Sequence, residues 1–463
     1  MEKPNLILQM QRLGDIVLCF PLYLWMARTY PGRPIWVVGE PAFYQELLAV
    51  SPAVTYIPWT ALNELQGRDY SLILNLSHRL EAAALAGQLE APVKLGGLLD
   101  EEGVLRIRGT WQLYRAALTE NSRHNRFHWA ELNALDCVDK ANLPATSFDA
   151  PRVLAPGSEK IGLFLGASQE EKRPSPEFWA GLARELEHRG LRVVLLGGPA
   201  EVPLGRRVRE LLGRPVADFC GRLSLGEFVA VGQTLSLLIT PDTGPMHLAA
   251  WTGLRVLNLS MGPVSPFETG PYQPGHYVLR ANFSCLDCWR CRRPRTYCRE
   301  RFDPGAVAYL AWRLAGGQGL GQDGLQAPPG LRLYRTGRTP DGFYRLEPLG
   351  RGSAADLLGE LWRAAFGLLF GLWGQAPLRQ AMDELAGCHP RLAHSFRRSL
   401  PGLAAPMKMA GAQAGEGSFW TGLPAMIRPL GGYLHMYLQN ADFSRQARVH
   451  CLELVEKLVT ALI

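Results

Sequence analysis

Short apolar runs alternate with helical stretches over the first two thirds of the chain, and this alternation limits the fold more than any other feature. Asn5–Met10, Ile35–Val38, Val54–Ile57 and Leu72–Leu76 read as strands, with helices predicted at Asp15–Thr29 and Arg79–Gln88. Strand, helix and strand at this spacing predict βαβ units and a parallel sheet. A boundary rich in Pro, Ala and Ser falls near Leu143–Ser158, and a second series follows. Its predicted strands are Lys160–Leu165, Arg192–Leu196, Leu235–Thr240, Val256–Leu259 and Tyr277–Leu279. Its predicted helices are Pro176–Arg189, Glu201–Leu212, Leu225–Gln233, Gly244–Thr252 and Asp303–Leu314. The chain therefore reads as α/β, with two Rossmann-like domains in tandem and a ligand cleft at the carboxyl ends of both sheets.

The expected divisions are residues 1–150, 151–315, 316–350 and 351–463. The third holds a Gly/Gln/Pro-rich linker, Gly316–Gly330, and a hairpin turning at Thr339-Pro-Asp-Gly342. The fourth is a mostly helical extension. In its last helix, Leu452, Val455, Leu458, Val459 and Leu462 share one side.

Composition sets outer limits. With 47% apolar and 20% charged residues, the chain can bury its own cores, so disorder is excluded. The 49 Lys+Arg against 42 Asp+Glu leave a charge of +7, which permits an anionic ligand or membrane surface without demanding nucleic acid. The nine cysteines are odd in number and clustered, which suits a reducing compartment. No signal peptide is expected, and no uncharged apolar stretch reaches the length of about 18 residues that spans a bilayer. A cytoplasmic protein is the expectation.

Three loops carry candidate chemistry. In Arg12-Leu-Gly-Asp15, after the first strand, Gly14 permits a tight turn and Asp15 opens a helix facing the cleft. Its carboxylate reads either as a helix cap or as a general base taking a proton from an acceptor hydroxyl. In Gly166-Ala-Ser168-Gln-Glu-Glu-Lys172, backbone N–H groups, the Ser168 hydroxyl and the Lys172 ammonium suit a phosphate; a solvated charged loop is the plainer reading. In Asp242-Thr243-Gly244-Pro-Met-His247, a strand ends and a helix begins, so free N–H groups aim at an anion. The alternative there is a capped helix with a structural Asp242 and a buried, hydrogen-bonded His247.

Together, Arg12-x-Gly-Asp15 with Pro21, Gly166-Ala-Ser168 with Lys172, Cys220-Gly-Arg-Leu-Ser224-Leu and Asp242-Thr-Gly-Pro-Met-His247-Leu-Ala-Ala resemble glycosyltransferase family 9, the ADP-heptose:lipopolysaccharide heptosyltransferase family. The resemblance runs from about Leu6 to Leu314. It implies a GT-B fold, an inverting transfer from a nucleoside-diphosphate donor such as ADP-heptose, and no catalytic metal. It implies Asp15 as catalytic base and Lys172 as the cation on the leaving diphosphate. Thr243 and Gly244 would bind that diphosphate, with Ser168, Asp242 and His247 beside it and Glu201 as a ribose contact. Trp251 departs from the resemblance, being bulky where the family's helix is small. The implied acceptor is a lipopolysaccharide-core hydroxyl, met at the inner face of the inner membrane. A protein acceptor, or a non-catalytic nucleotide-sugar-binding scaffold, is the alternative.

A fourth candidate lies in Cys285-x2-Cys288-x2-Cys291-x6-Cys298. Four thiols within so short a span suit a structural Zn or Fe, and the resemblance includes protein-directed relatives with a cysteine-bound iron. Arg290, Arg292, Arg293, Arg295, Arg299 and Arg301 flank the thiols and are expected to lower their pKa values, or alternatively to meet an anionic acceptor. The C-terminal helices are a candidate homo-oligomer interface or a small packed domain. No nucleic-acid partner is expected.

Overall fold

The computed structural model describes residues 2–148, 159–285, 287–316, 324–408 and 417–462. Its first sheet contains β1 (Asn5–Leu8), β2 (Ile35–Gly39), β3 (Thr55–Pro58), β4 (Leu72–Asn75), β5 (Lys94–Leu99) and β6 (Leu105–Arg108). The order is β3-β2-β1-β4-β5-β6, parallel except for the β5–β6 pair. Every residue of β1 and β4 is buried, as expected for central parallel strands covered on both faces. The chain reverses its direction of strand addition between β1 and β4, so the loops leaving those two strands frame an open crevice.

The second sheet repeats the plan. It contains β7 (Lys160–Phe164), β8 (Arg192–Leu196), β9 (Ala217–Asp218), β10 (Leu237–Pro241), β11 (Val256–Ser260), β12 (Tyr277–Ala281), β13 (Leu331–Arg338) and β14 (Tyr344–Pro348). The order is β14-β13-β12-β11-β10-β7-β8-β9, and the reversal now lies between β7 and β10. The expected hairpin forms, but it does not stand apart. β13 pairs antiparallel with β12, bringing Leu333 opposite Leu279, and so extends the sheet.

Two local departures have simple causes. The single helix predicted over Asp15–Thr29 is two, Leu13–Val17 and Phe20–Thr29. Pro21 has no N–H to donate to the preceding turn, so it takes the first turn of the second helix. The sequence reading also missed β5 and β6. Gly96 and Gly97 weaken the strand signal of β5, and in β6, Leu-Arg-Ile-Arg, two arginines break any apolar run. Most of the predicted boundary Leu143–Ser158, and residues 317–323 of the predicted linker, lie outside the described residues.

The extension folds back on the first sheet. Helix Ala354–Leu369 buries Leu361, Trp362, Ala365 and Phe366. Phe366 meets Tyr114 at 4.5 Å between ring centroids, and Phe370 meets Trp111 at 5.0 Å. Asn440, ending helix Arg428–Asn440, bonds twice to the backbone of Ile107: it accepts from the N–H at 2.7 Å and donates to the carbonyl at 2.9 Å. That contact satisfies part of the open edge of β6. In the last helix, Val455 and Leu458 are buried, joined by Cys451 and Leu454, while Leu452 and Val459 are half-buried. Among the described residues, no helix is long and apolar enough to cross a membrane.

Candidate active site

The two crevices face each other, and the loops leaving β1, β7 and β10 meet there. Gly14 and Gly244 make the meeting close. A Cβ at Gly14 would stand 3.3 Å from the Gly244 Cα and 3.0 Å from His247 Cδ2. Each motif therefore carries glycine where the other motif's backbone approaches.

Asp15 lies in the first turn of helix Leu13–Val17, and its Oδ2 accepts the Arg12 N–H at 3.2 Å. The capping role is real, yet the carboxylate also feels Arg115 from its own half of the chain and Asp242 from across the interface. Burial raises its pKa above the ordinary 3.8, the guanidinium of Arg115 opposes that rise, and the like charge of Asp242 adds to it. A carboxylate shifted in this direction is a better proton acceptor than a solvated aspartate.

Across the interface, Lys172 Nζ donates to Asp242 Oδ2 at 2.8 Å, both side chains being largely buried. His247 Nε2 lies 3.9 Å from Asp242 Oδ1. Burial pulls the His247 pKa down to about 4, so the ring is neutral near pH 7, and its Nδ1 is buried with no hydrogen-bond partner among the described residues. Helix Gly244–Trp251 begins after Thr243, whose side chain makes no cap bond. Pro245 has no N–H and that of Met246 bonds the Thr243 carbonyl at 3.0 Å, so an anion at this helix start would meet the N–H groups of Thr243 and Gly244.

Asp15, Lys172, Asp242, Thr243, Gly244 and His247 thus come together at one interface. Ser168 is exposed on the loop before Lys172, a loop closed by Arg173 bonding the Ala167 carbonyl at 2.7 Å. Glu201 lies at the carboxyl end of β8, packed over Gly166, and its Oε2 accepts the Gly198 N–H at 2.9 Å. Trp251, the bulky departure, braces the interface: its Nε1 donates to the Val50 carbonyl at 2.8 Å, and its ring meets Phe20 edge-on at 5.2 Å.

The sequence reading missed Arg115, on helix Thr110–Ala117. Its guanidinium lies over the Trp129 ring at 5.1 Å, and its Nε is buried without a partner among the described residues. It lines a cavity of about 360 Å³ with Ser77, His78, Gln112, Trp129 and Trp289. Trp289 arrives from the cysteine loop beyond β12, so this cavity draws on both halves of the chain. Nothing in the spacing around Arg115 marks it, because its role depends on helix Thr110–Ala117 packing beside Asp15.

The four cysteines Cys285, Cys288, Cys291 and Cys298 are unbridged and line one cavity of about 590 Å³. Among the described residues, no three metal-ligating side chains converge on a common point. The loop is anchored by the buried pair Arg280–Asp287 at 2.7 Å, and it turns through positive φ at Asp287 and Trp289. The expected lowering of thiol pKa by the arginines is not found at Cys288. Burial, then the neighbouring Cys291 and Cys285, push that thiol up to about 11.

The two-sheet fold has counterparts among known proteins. The profile of glycosyltransferase family 9 (heptosyltransferase) matches residues 59–296. The lipopolysaccharide core heptosyltransferase OpsX of Haemophilus influenzae is 22% identical over 288 residues, covering 58% of this chain and 81% of its own. Lipooligosaccharide heptosyltransferase 2 of the same organism is 30% identical over 125 residues, covering 26% of this chain and 36% of its own. Among solved structures, a glycosyl transferase of family 9 from Veillonella parvula superposes with a TM-score of 0.52 at 20% identity, over 68% of this chain and 98% of its own. ADP-heptose lps heptosyltransferase II of E. coli superposes with a TM-score of 0.51 at 21% identity, over 67% and 98%. The chain, with its two facing sheets of the GT-B type, belongs to glycosyltransferase family 9, the heptosyltransferase family.

Proposed function

We propose that this glycosyltransferase moves a heptosyl group from ADP-heptose to a hydroxyl of a lipopolysaccharide-core acceptor, with inversion at the anomeric carbon. The relatives' printed names supply the donor and acceptor classes. The observation that carries the division of labour is the meeting of Asp15 from one sheet with Lys172, Asp242 and the start of helix Gly244–Trp251 from the other.

Asp15 takes the proton from the acceptor hydroxyl as its oxygen bonds to the anomeric carbon. The bond from that carbon to the diphosphate oxygen breaks, and its electron pair leaves with ADP. Negative charge grows on the leaving diphosphate, where Lys172 and the N–H groups of Thr243 and Gly244 stabilise it. Ser168 is placed to add a hydroxyl contact to the diphosphate, and Glu201 to hold the ribose. Neutral His247 packs beside Asp242 and adds no charge to the donor site. Changing Asp15→Asn should abolish transfer while leaving ADP affinity within about threefold; retained turnover would remove Asp15 from the role of base.

The cysteine tetrad is a candidate structural metal site. Four reduced thiols on one short loop line one cavity and have the chemistry of a tetrahedral Zn or Fe donor set, and the loop would have to draw them together to close such a site. Such an ion would pin the loop that carries Trp289. Metal analysis of purified protein should find about one ion per chain; four freely titrating thiols in the folded protein would refute the assignment.

A further inference from the structure

The cavity of about 590 Å³ between the cysteine loop and the helical extension is strongly cationic. Arg290, Arg292, Arg293 and Arg295 wall one side, and Arg428 of the extension walls the other. Glu120 is the single carboxylate among the lining residues, and it pairs loosely with Arg292 at 3.4 Å, largely in solvent. Arg428 is aimed by its own segment, its Nε donating to the Leu423 carbonyl at 2.8 Å. Among the described residues, no carboxylate lies within ion-pair distance of Arg290, Arg293 or Arg295. Five guanidinium groups outweigh Glu120 and the net negative charge that four thiolates around a divalent ion would bring, so the cavity stays positive and a multiply charged anion would offset the excess. Guanidinium groups also match the geometry of phosphate oxygens two at a time.

This cavity adjoins the one lined by Arg115, whose guanidinium lies within electrostatic reach of Asp15. Thr119 and Trp289 line the smaller cavity, while their chain neighbours Glu120 and Arg290 line the larger. The two share a wall made of the end of one helix and the tip of the cysteine loop. A molecule with a hydroxyl at Asp15 would pass Trp289 and reach the arginines. Arg428 also lies beyond residue 296, where the family match ends.

We propose that the arginine-lined cavity is an anion subsite that holds phosphate groups of the acceptor, so that the enzyme selects phosphorylated acceptors. The proposal rests on the acceptor assignment made above. The test compares the double variant Arg293→Ala/Arg295→Ala, and separately Arg428→Ala, with wild type. Transfer from ADP-heptose is measured to one lipopolysaccharide-core oligosaccharide, phosphorylated or phosphatase-treated. The expected result is a rise of at least about tenfold in KM for the phosphorylated acceptor, with kcat and ADP affinity unchanged and no change toward the treated acceptor. An equal effect on both acceptors, or none, overturns the proposal. Sedimentation with phosphatidylglycerol vesicles separates a membrane source: loss of vesicle binding with unchanged KM would assign the arginines to bilayer phosphates and overturn it as well. Inorganic pyrophosphate titrated into ADP-saturated protein decides the subsite without turnover. Wild type and Asp15→Asn should both bind it and the arginine variants should not, so a failure of the transfer reading stays distinct from a failure of the subsite; no binding by wild type overturns the proposal.

Discussion

Lys172 and Asp242, seventy positions apart, form a 2.8 Å ion pair at the point where β7 and β10 part. Asp242 anchors the Lys172 ammonium at the crevice mouth, where its proposed role needs it. Losing Lys172 alone leaves Asp242 buried without its partner, so Lys172→Met should cost both stability and rate. The expected loss in kcat is about 10²–10³-fold, the magnitude found when one donor to a developing negative charge is removed. The double change Lys172→Met/Asp242→Leu should recover most of the stability, since an apolar pair often replaces a buried ion pair without penalty. It should recover none of the rate. Denaturant melts and turnover measured on all three variants separate the two effects.

The pH profile should show one acid limb, and Asp15 should own it. A base works when ionised, so activity is present above its pKa and lost as pH falls through it. Burial places that limb above pH 3.8. His247, held down to about 4, should add no limb near 6.5. Arg115 lowers the Asp15 pKa and Asp242 raises it. Arg115→Gln should therefore move the limb to higher pH and Asp242→Asn to lower pH. The profile of kcat/KM for each variant checks the signs; a limb that ignores both changes belongs to another group.

The parts of the site that were legible in sequence are those made within one loop. Asp15 and the Asp242–His247 run each follow a strand and open a helix, and local patterning reveals that much. Lys172 is visible as a cation near such a turn, but its partner seventy residues on is not. Arg115, Trp289 and Arg428 were beyond reach for a different reason. Each gains its surroundings from packing between segments far apart in the chain, and no period or spacing encodes that. The fold divides along the same line. Central strands such as β1 and β10 are largely apolar and fully buried, while β5 carries two glycines and β6 carries two arginines at the partly exposed sheet edge.

Asn440 is expected to anchor the extension to the first sheet. Its amide satisfies both backbone groups of Ile107 on the outer edge of β6. Asn440→Ala should destabilise the protein by about 1–3 kcal/mol, the usual cost of stranding partly buried backbone groups. The nearby Arg106–Asp442 pair, at 2.6 Å, has its carboxylate well exposed. Asp442→Ala should therefore cost less than Asn440→Ala. Urea unfolding of the two variants ranks them, and the reverse order would mean that charge, not edge pairing, holds the extension.

Gly14→Ala tests the interface with the smallest change available. Within helix Leu13–Val17 an alanine is no strain, and replacing glycine there removes freedom only from the unfolded chain. Judged by the first sheet alone, the variant should be as stable as wild type or slightly more so. Its Cβ would nevertheless stand 3.0 Å from His247 Cδ2 and 3.3 Å from the Gly244 Cα, and the second of those neighbours is backbone that cannot swing aside. The two crevices should part by a fraction of an ångström, carrying Asp15 away from the donor side. Misplacement on that scale costs up to about 10²-fold in rate. The expected outcome is an unchanged melting temperature with kcat/KM reduced at least about tenfold. Full activity in Gly14→Ala would show that the chemistry does not depend on the close approach of these two glycines.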